Sequence, residues 1–208
     1  MKRRCLLLTL ASLPLGASRA WAQVVLPANT LEVKVQRVPD SEPSAYEVQA
    51  TALVRATPQE VWQVLTDYER MHEFVPDMAS CKVLSREASA PNAITLEQHG
   101  SMHFLFFSQA IDLVVRVVEQ PISTIDITLV SGNMKAYSSH WEIRPVLGNK
   151  MTGTQISYQG KLTPDFYVPR LFGVSLMRSN IQNMFEAVMV EIEKSIQVKP
   201  ALKAAPPP

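Results

Sequence analysis

Residues 57–78 read TPQEVWQVLTDYERMHEFVPDM, and within this stretch the chain changes its period. Thr57 is placed to cap a helix, Pro58 suits the first helical position where no amide donor is needed, and Glu60 completes a capping box. Val61, Leu65 and Tyr68 then recur on one helical face, with Trp62 beside them. Asp67 can cap a second short helix, which has to end before Pro76. The spacing predicts two short helices in succession.

On the N-terminal side of this stretch, Leu31 to Val38 and Tyr46 to Val54 alternate apolar and polar residues around the turn-rich Pro39–Ser44, the pattern of a β-hairpin. Tyr46, Val48, Ala50, Ala52 and Val54 share the face expected to turn inward. On the C-terminal side the period of two returns. Strands are expected over Lys82–Arg86, Ile94–His99, Phe104–Val118, Thr124–Val130, Ala136–Arg144 and Thr154–Leu162. Breaks fall near Pro91 and Asn92, Pro121, Gly132 and Asn133, and Gly148 and Asn149. Ile111, Leu113, Val115 and Val117 share one parity, and Tyr137, Trp141 and Ile143 another, so the sheet has one wet and one greasy face and is antiparallel.

The longest helical pattern runs from Arg170 to Ile196, with Val174, Met177, Ile181, Met184, Val188 and Ile192 at steps of three or four, flanked by Phe185 and Met189. No other segment is apolar and long enough to cover the inner face of the sheet. The sheet must therefore curl around that helix, which makes the class α+β: a curved antiparallel β-sheet wrapped around a long C-terminal α-helix.

The ends read differently from the body. Lys2, Arg3 and Arg4 precede an apolar run from Leu6 to Leu15, and Ala20-Trp21-Ala22 offers a cleavage site, so residues 1–22 are expected to be a signal peptide. The run falls short of the ~20 residues a bilayer requires. The expected destination is the periplasm or the outside of a bacterial cell, by the Sec route or, given Arg3-Arg4-Cys5-Leu6-Leu7, the twin-arginine route. Taking Lys2, Arg3, Arg4 and Arg19 from the 20 basic residues leaves 16 against 19 acidic ones, a net charge of about −3. That balance excludes nucleic acid as an expected partner. Cys81 is then the only mature thiol and can form neither an internal disulfide nor a zinc site alone. The globular domain is expected over residues 23–198, and residues 199–208 as a disordered tail.

Three stretches carry a family resemblance: the TPQEVWQVLTDYERMHEFVPDM segment, the strands containing EQHGSMHFLFF and SSHWEIRPV, and VPRLFGVSLMRSNIQNMF leading into the closing helix. Over about Tyr46 to Ser195 the sequence resembles the START-like (SRPBCC) superfamily, in the branch of polyketide cyclase/dehydrase and coenzyme Q-binding proteins. The resemblance implies the helix-grip fold with a cavity between sheet and helix. It implies binding of an apolar small molecule such as a lipid, a quinone or a polyketide-like compound. The leader sets the chain apart from members engaged in intracellular polyketide synthesis.

Aromatics expected near such a cavity are Trp62, Phe74, Tyr137, Trp141, Tyr158 and Phe172. From the helix, Met177, Ile181 and Met184 either line it or plug the core. Gln98 shares parity with Ile94 and Leu96, and a buried amide needs a partner, which a ligand oxygen or a backbone group can supply. His72 and Glu73 are helix neighbours about 100° apart and read as polar surface. His99 and His103 flank Gly100 and would meet if the chain turned there, but no third metal ligand accompanies them. No nucleophile motif, phosphate loop or dinucleotide fingerprint occurs, so neither cofactor nor metal is expected. Three functions fit: a carrier of a hydrophobic molecule with transient membrane contact, a cyclase or dehydratase acting through substrate orientation and proton transfer, and an interaction module with a filled cavity. No oligomeric state is implied.

Overall fold

The computed structural model describes residues 30–104, 107–148 and 151–203. The expected signal peptide and the end of the expected tail lie outside the described residues. The elements are β1 (Thr30–Arg37), β2 (Tyr46–Val54), α1 (Pro58–Leu65), a 3-10 turn (Tyr68–Arg70), α2 (Met71–Phe74), β3 (Met78–Glu87), β4 (Ala90–Phe104), β5 (Phe107–Gln120), β6 (Thr124–Gly132), β7 (Met134–Gly148), β8 (Met151–Pro164) and α3 (Gly173–Lys203). The eight strands form one antiparallel sheet in the order β1-β2-β8-β7-β6-β5-β4-β3.

The capping box at Thr57 is present as expected, with Glu60 bonded to the Thr57 amide and Thr57 Oγ1 accepting from the Glu60 amide. Asp67 departs from expectation. Its carboxylate caps nothing and instead pairs with Arg70 at 3.1 Å. The β3–β4 turn falls at Ala88 and Ser89 rather than at Pro91 and Asn92, because a proline is tolerated in the first positions of a strand.

β4 also runs straight through Gly100. A Cβ there would sit 2.6 Å from the Asp77 carbonyl oxygen, so this glycine permits a close backbone approach rather than a turn. His99 and His103 consequently stand about 13 Å apart along one extended strand. Each has its own partner: His99 Nδ1 meets Asp112 Oδ1 at 2.7 Å, and His103 Nε2 meets Ser101 Oγ at 2.7 Å. α3 begins at Gly173 and runs on to Lys203, past the domain boundary expected at residue 198.

The inner face is greasy as the parity requires. Val48, Ala50, Ala52, Leu96, Val115, Val117 and Ile156 are buried with Leu176, Met177, Phe185, Val188 and Ile192 of α3 in one core cluster. Helix α1 touches both α3 and the ends of β7 and β8, closing one end of the grip. The opposite end holds the start of α3, where Gly173 lies against the Tyr46 ring.

Candidate functional site

Along β7, the inward parity of Tyr137 and Trp141 also turns Ser139 inward, where it is buried despite its hydroxyl. Tyr158 on β8 pairs with Trp141 in register and shares the same face. Its ring leans over Gly160, since a Cβ on that glycine would come within 2.5 Å of the Tyr158 oxygen. Tyr137 Oη and Ser139 Oγ are 3.4 Å apart. Burial first, and the neighbouring Tyr137 hydroxyl next, push the Tyr158 hydroxyl far above the usual tyrosine range, against a smaller opposing effect of Ser139. The group therefore stays protonated. Three hydroxyls thus form a polar spot in apolar surroundings, the pattern by which a ligand oxygen is oriented.

Phe185 of α3 closes the floor beneath this spot. It stacks on Trp141 with ring centroids 5.2 Å apart and planes at 18°, while Tyr158 meets both rings edge-on. Towards the start of α3 the interior is less covered. Ile111, Ile127, Leu129, Tyr137, Val174, Ile181 and Met184 pack on the core yet remain only half-buried.

The sheet itself loosens there. Pairing of β6 with β7 stops at Thr128 and Ser138; beyond it Ser131 and Gly132 pair with β5, while Met134 and Ala136 pair with β8. Asn133 pins the diverging tip, its side chain donating to the Ala110 carbonyl and accepting from the Asp112 amide. An open groove of about 720 Å³ lies at this divergence, bordered by Tyr46, Leu129, Tyr137 and Leu162 and, from the outer face, by Glu47, Lys135, Ser138 and Lys161, with no described residue of α3 in its lining. The Tyr46 hydroxyl is buried and makes no well-formed hydrogen bond.

Of the residues expected to line a cavity, Tyr137, Trp141 and Tyr158 come together, and Ile181 and Met184 lie half-buried on α3. Met177 is fully covered and belongs to the core. Trp62 packs on the outside of the core from α1, and Phe74 borders a surface groove between α2 and the far side of α3. Phe172 is 43% exposed ahead of α3 rather than on the inner face. Gln98 points inward, and its amide donates to Cys81 Sγ at 3.7 Å. Burial pushes the Cys81 thiol up, which keeps it inert. Ser139, Ile127 and Leu129 were not singled out from the sequence, and Phe185 was named only as a flank of the helical stripe, although the parity that exposed Tyr137 and Trp141 also contains Ser139.

Among the described residues no group of three or more His, Cys, Asp or Glu side chains is arranged to hold a metal. His99 and His140 pair with Asp112 and Asp126 on the outer face, at 2.7 and 2.6 Å. His72 and Glu73 lie on the α2 surface, with Glu73 bonded to Arg70.

The sequence profile of the polyketide cyclase / dehydrase and lipid transport family matches residues 54–189. No curated protein matches the chain by sequence. Among solved structures the chain is similar to a STAR-related lipid transfer protein (fragment 25–204) from Xanthomonas axonopodis, with a TM-score of 0.60, 14% identity, and coverage of 80% of this chain and 99% of that one. It is similar to a START superfamily protein from Mycobacterium smegmatis, with a TM-score of 0.59, 17% identity, and coverage of 71% and 97%. The Zhui aromatase/cyclase from Streptomyces sp. R1128 gives 0.57, 14%, and coverage of 73% and 96%. At such identities the likeness establishes the fold, which is the START-like helix-grip arrangement.

Proposed function

The chain belongs to the polyketide cyclase / dehydrase and lipid transport family, and from that premise we propose that it is a carrier for a hydrophobic small molecule held between the sheet and the first half of α3. Family and fold indicate a START-like domain of either the hydrophobic-ligand-binding or the polyketide cyclase/dehydrase kind. The observation that favours binding is the chemistry offered by the half-open inner face. It presents apolar side chains and the hydroxyls of Tyr137, Ser139 and Tyr158, while His99 and His140 pair with carboxylates on the outer face. Proton transfer near neutral pH needs a group that titrates there, and a Tyr158 hydroxyl held protonated is a donor rather than a base. The inward Glu119 carboxylate is engaged by the Tyr68 hydroxyl at 2.7 Å, at the closed end.

The ligand is a lipid, a quinone or a polyketide-like compound: mostly hydrocarbon, with one or two oxygens to meet the hydroxyls. Affinity would come from apolar burial at about 25 cal/mol per Å², with the hydroxyls setting orientation. The reading of residues 1–22 as a removed signal supports action in the periplasm or outside the cell, with residues 23–198 as the working domain. Transient contact with a membrane fits such a carrier.

Organic extraction of the purified chain followed by mass spectrometry is expected to yield a co-purifying apolar compound. A protein free of any such compound that also leaves a hydrophobic dye unbound would overturn the proposal.

A further inference from the structure

The loop between β8 and α3 (residues 165–172) has two faces. Val168 is buried and Phe166 packs on the core, whereas Tyr167 is 77% and Leu171 88% exposed. The loop is held in place: the Phe172 and Gly173 amides both donate to the Pro169 carbonyl, and Arg170 pairs with Glu42 of the β1–β2 loop. Outward apolar side chains are therefore presented by a built loop. Val130, exposed on β6, lies at the same end of the sheet. This is also the end at which β6 and β7 diverge.

We propose that this end docks on a lipid bilayer, with Tyr167 and Leu171 entering the boundary between headgroups and acyl chains. The proposal rests on the binding reading above, because a water-insoluble ligand must be taken from the phase that dissolves it. A tyrosine and a leucine suit that boundary, where one end of a ring is wet and the other greasy. A stable protein partner would need about 800 Å² on this side, far more than a few side chains on a narrow loop supply. The nearby cations are already engaged: Arg170 with Glu42, Lys135 with Asp165 at 3.5 Å, and Lys161 with Glu47 at 2.9 Å. Docking therefore runs on apolar insertion and does not require anionic lipid.

The test places a reporter in the loop. Leu171→Trp is compared with Leu147→Trp, since Leu147 is 86% exposed at the opposite end of the sheet. With phosphatidylcholine vesicles carrying brominated acyl chains, emission of the Leu171→Trp protein should shift to the blue and be quenched relative to the parent, and that of Leu147→Trp should not. The Tyr167→Asp/Leu171→Asp protein should lose about tenfold or more in vesicle affinity while melting at the parent's temperature. Emission of Leu171→Trp unmoved by vesicles, parental affinity in the double variant, or insertion only when phosphatidylglycerol is added would each overturn the proposal. Uptake of a fluorescent fatty acid supplied from solution separates the two readings. Quenching at Leu171→Trp without any such uptake would sink the carrier reading and leave the docking surface standing.

Discussion

The two halves of α3 lie along one curved sheet and are covered to different degrees. From Phe185 to Ile192, Phe185, Val188, Met189 and Ile192 are buried in a cluster with Trp141, Tyr158 and, from α1, Val61 and Leu65, while Val190 is exposed. From Val174 to Met184, Leu176 and Met177 are covered, but Val174, Ile181 and Met184 are only half-buried. The sheet differs in the same way. It is paired and backed by α1 at the closed end, and at the open end β6 and β7 part company after Thr128. Half-exposed apolar surface forgoes stabilisation that a sealed core would provide at about 25 cal/mol per Å². On the proposed carrier reading, the half-exposed residues beside the hydroxyl cluster are where the ligand would supply the missing cover.

The largest effect is expected where the closed half is cut. Phe185→Ala removes the ring stacked on Trp141 and should cost about 3–5 kcal/mol in urea-unfolding free energy. Gly160→Ala comes next. The added Cβ meets the Tyr158 ring at 2.5–2.9 Å, and that ring is itself wedged against Trp141 and Phe185, so overpacking should cost about 1–3 kcal/mol and displace the hydroxyl. Probe affinity should fall with it, and an unchanged affinity would remove Tyr158 from the site. Met184→Ala, in the open half, should cost about 1 kcal/mol, because only part of the side chain is buried to begin with. Its main effect should be on ligand retention, measured by release of a fluorescent fatty acid. A stability loss for Met184→Ala as large as that for Phe185→Ala would erase the distinction between the halves.

Much of this arrangement was legible in the sequence. The capping box of TPQE, the alternation from Tyr46 to Val54 and the parity of Ile111 to Val117 are local signals, and each element formed where they indicated. The inward face of Trp141 followed from strand parity, whereas its register opposite Tyr158 did not. Position across the third dimension was harder to read. Trp62 and Phe74 sit on short helices whose orientation is set by packing against the rest of the fold, which no periodicity encodes; both pack partly buried on the core, and Phe74 also borders a groove beside α3. Phe172 precedes the helix by one residue, so its direction depends on how the Pro169 carbonyl closes the turn. Gly100 looked like a turn because glycine serves both turns and close approaches, and only the neighbouring strand tells them apart. The divergence of β6 and β7 had no local signal, since each strand keeps its alternation while changing partner.

The smallest effect concerns the outer skin of the open half, where His99 pairs across the strands with Asp112, directly behind Ile111 in the ladder. The hydrogen bond to Asp112 is the main cause that raises the His99 pKa; loss of hydration opposes it, and Glu97 at 3.5 Å adds to the rise. A histidine whose folded value lies above its unfolded one, about 6.5, contributes stability that is complete below that unfolded value. The contribution is lost as pH rises through the folded value. Because the pair is solvent-exposed, the change in melting temperature across this window should be slight. The titration itself should be plain in the His99 ring proton shifts, and Asp112→Asn should bring its midpoint down. Affinity for an uncharged fluorescent probe should stay flat over the same range, because the imidazole and the inner face lie on opposite sides of the strand. Affinity that tracked the His99 midpoint, and lost that dependence in Asp112→Asn, would mean the two faces of β4 and β5 act as one unit, and the inner site could no longer be treated as separate from the surface behind it.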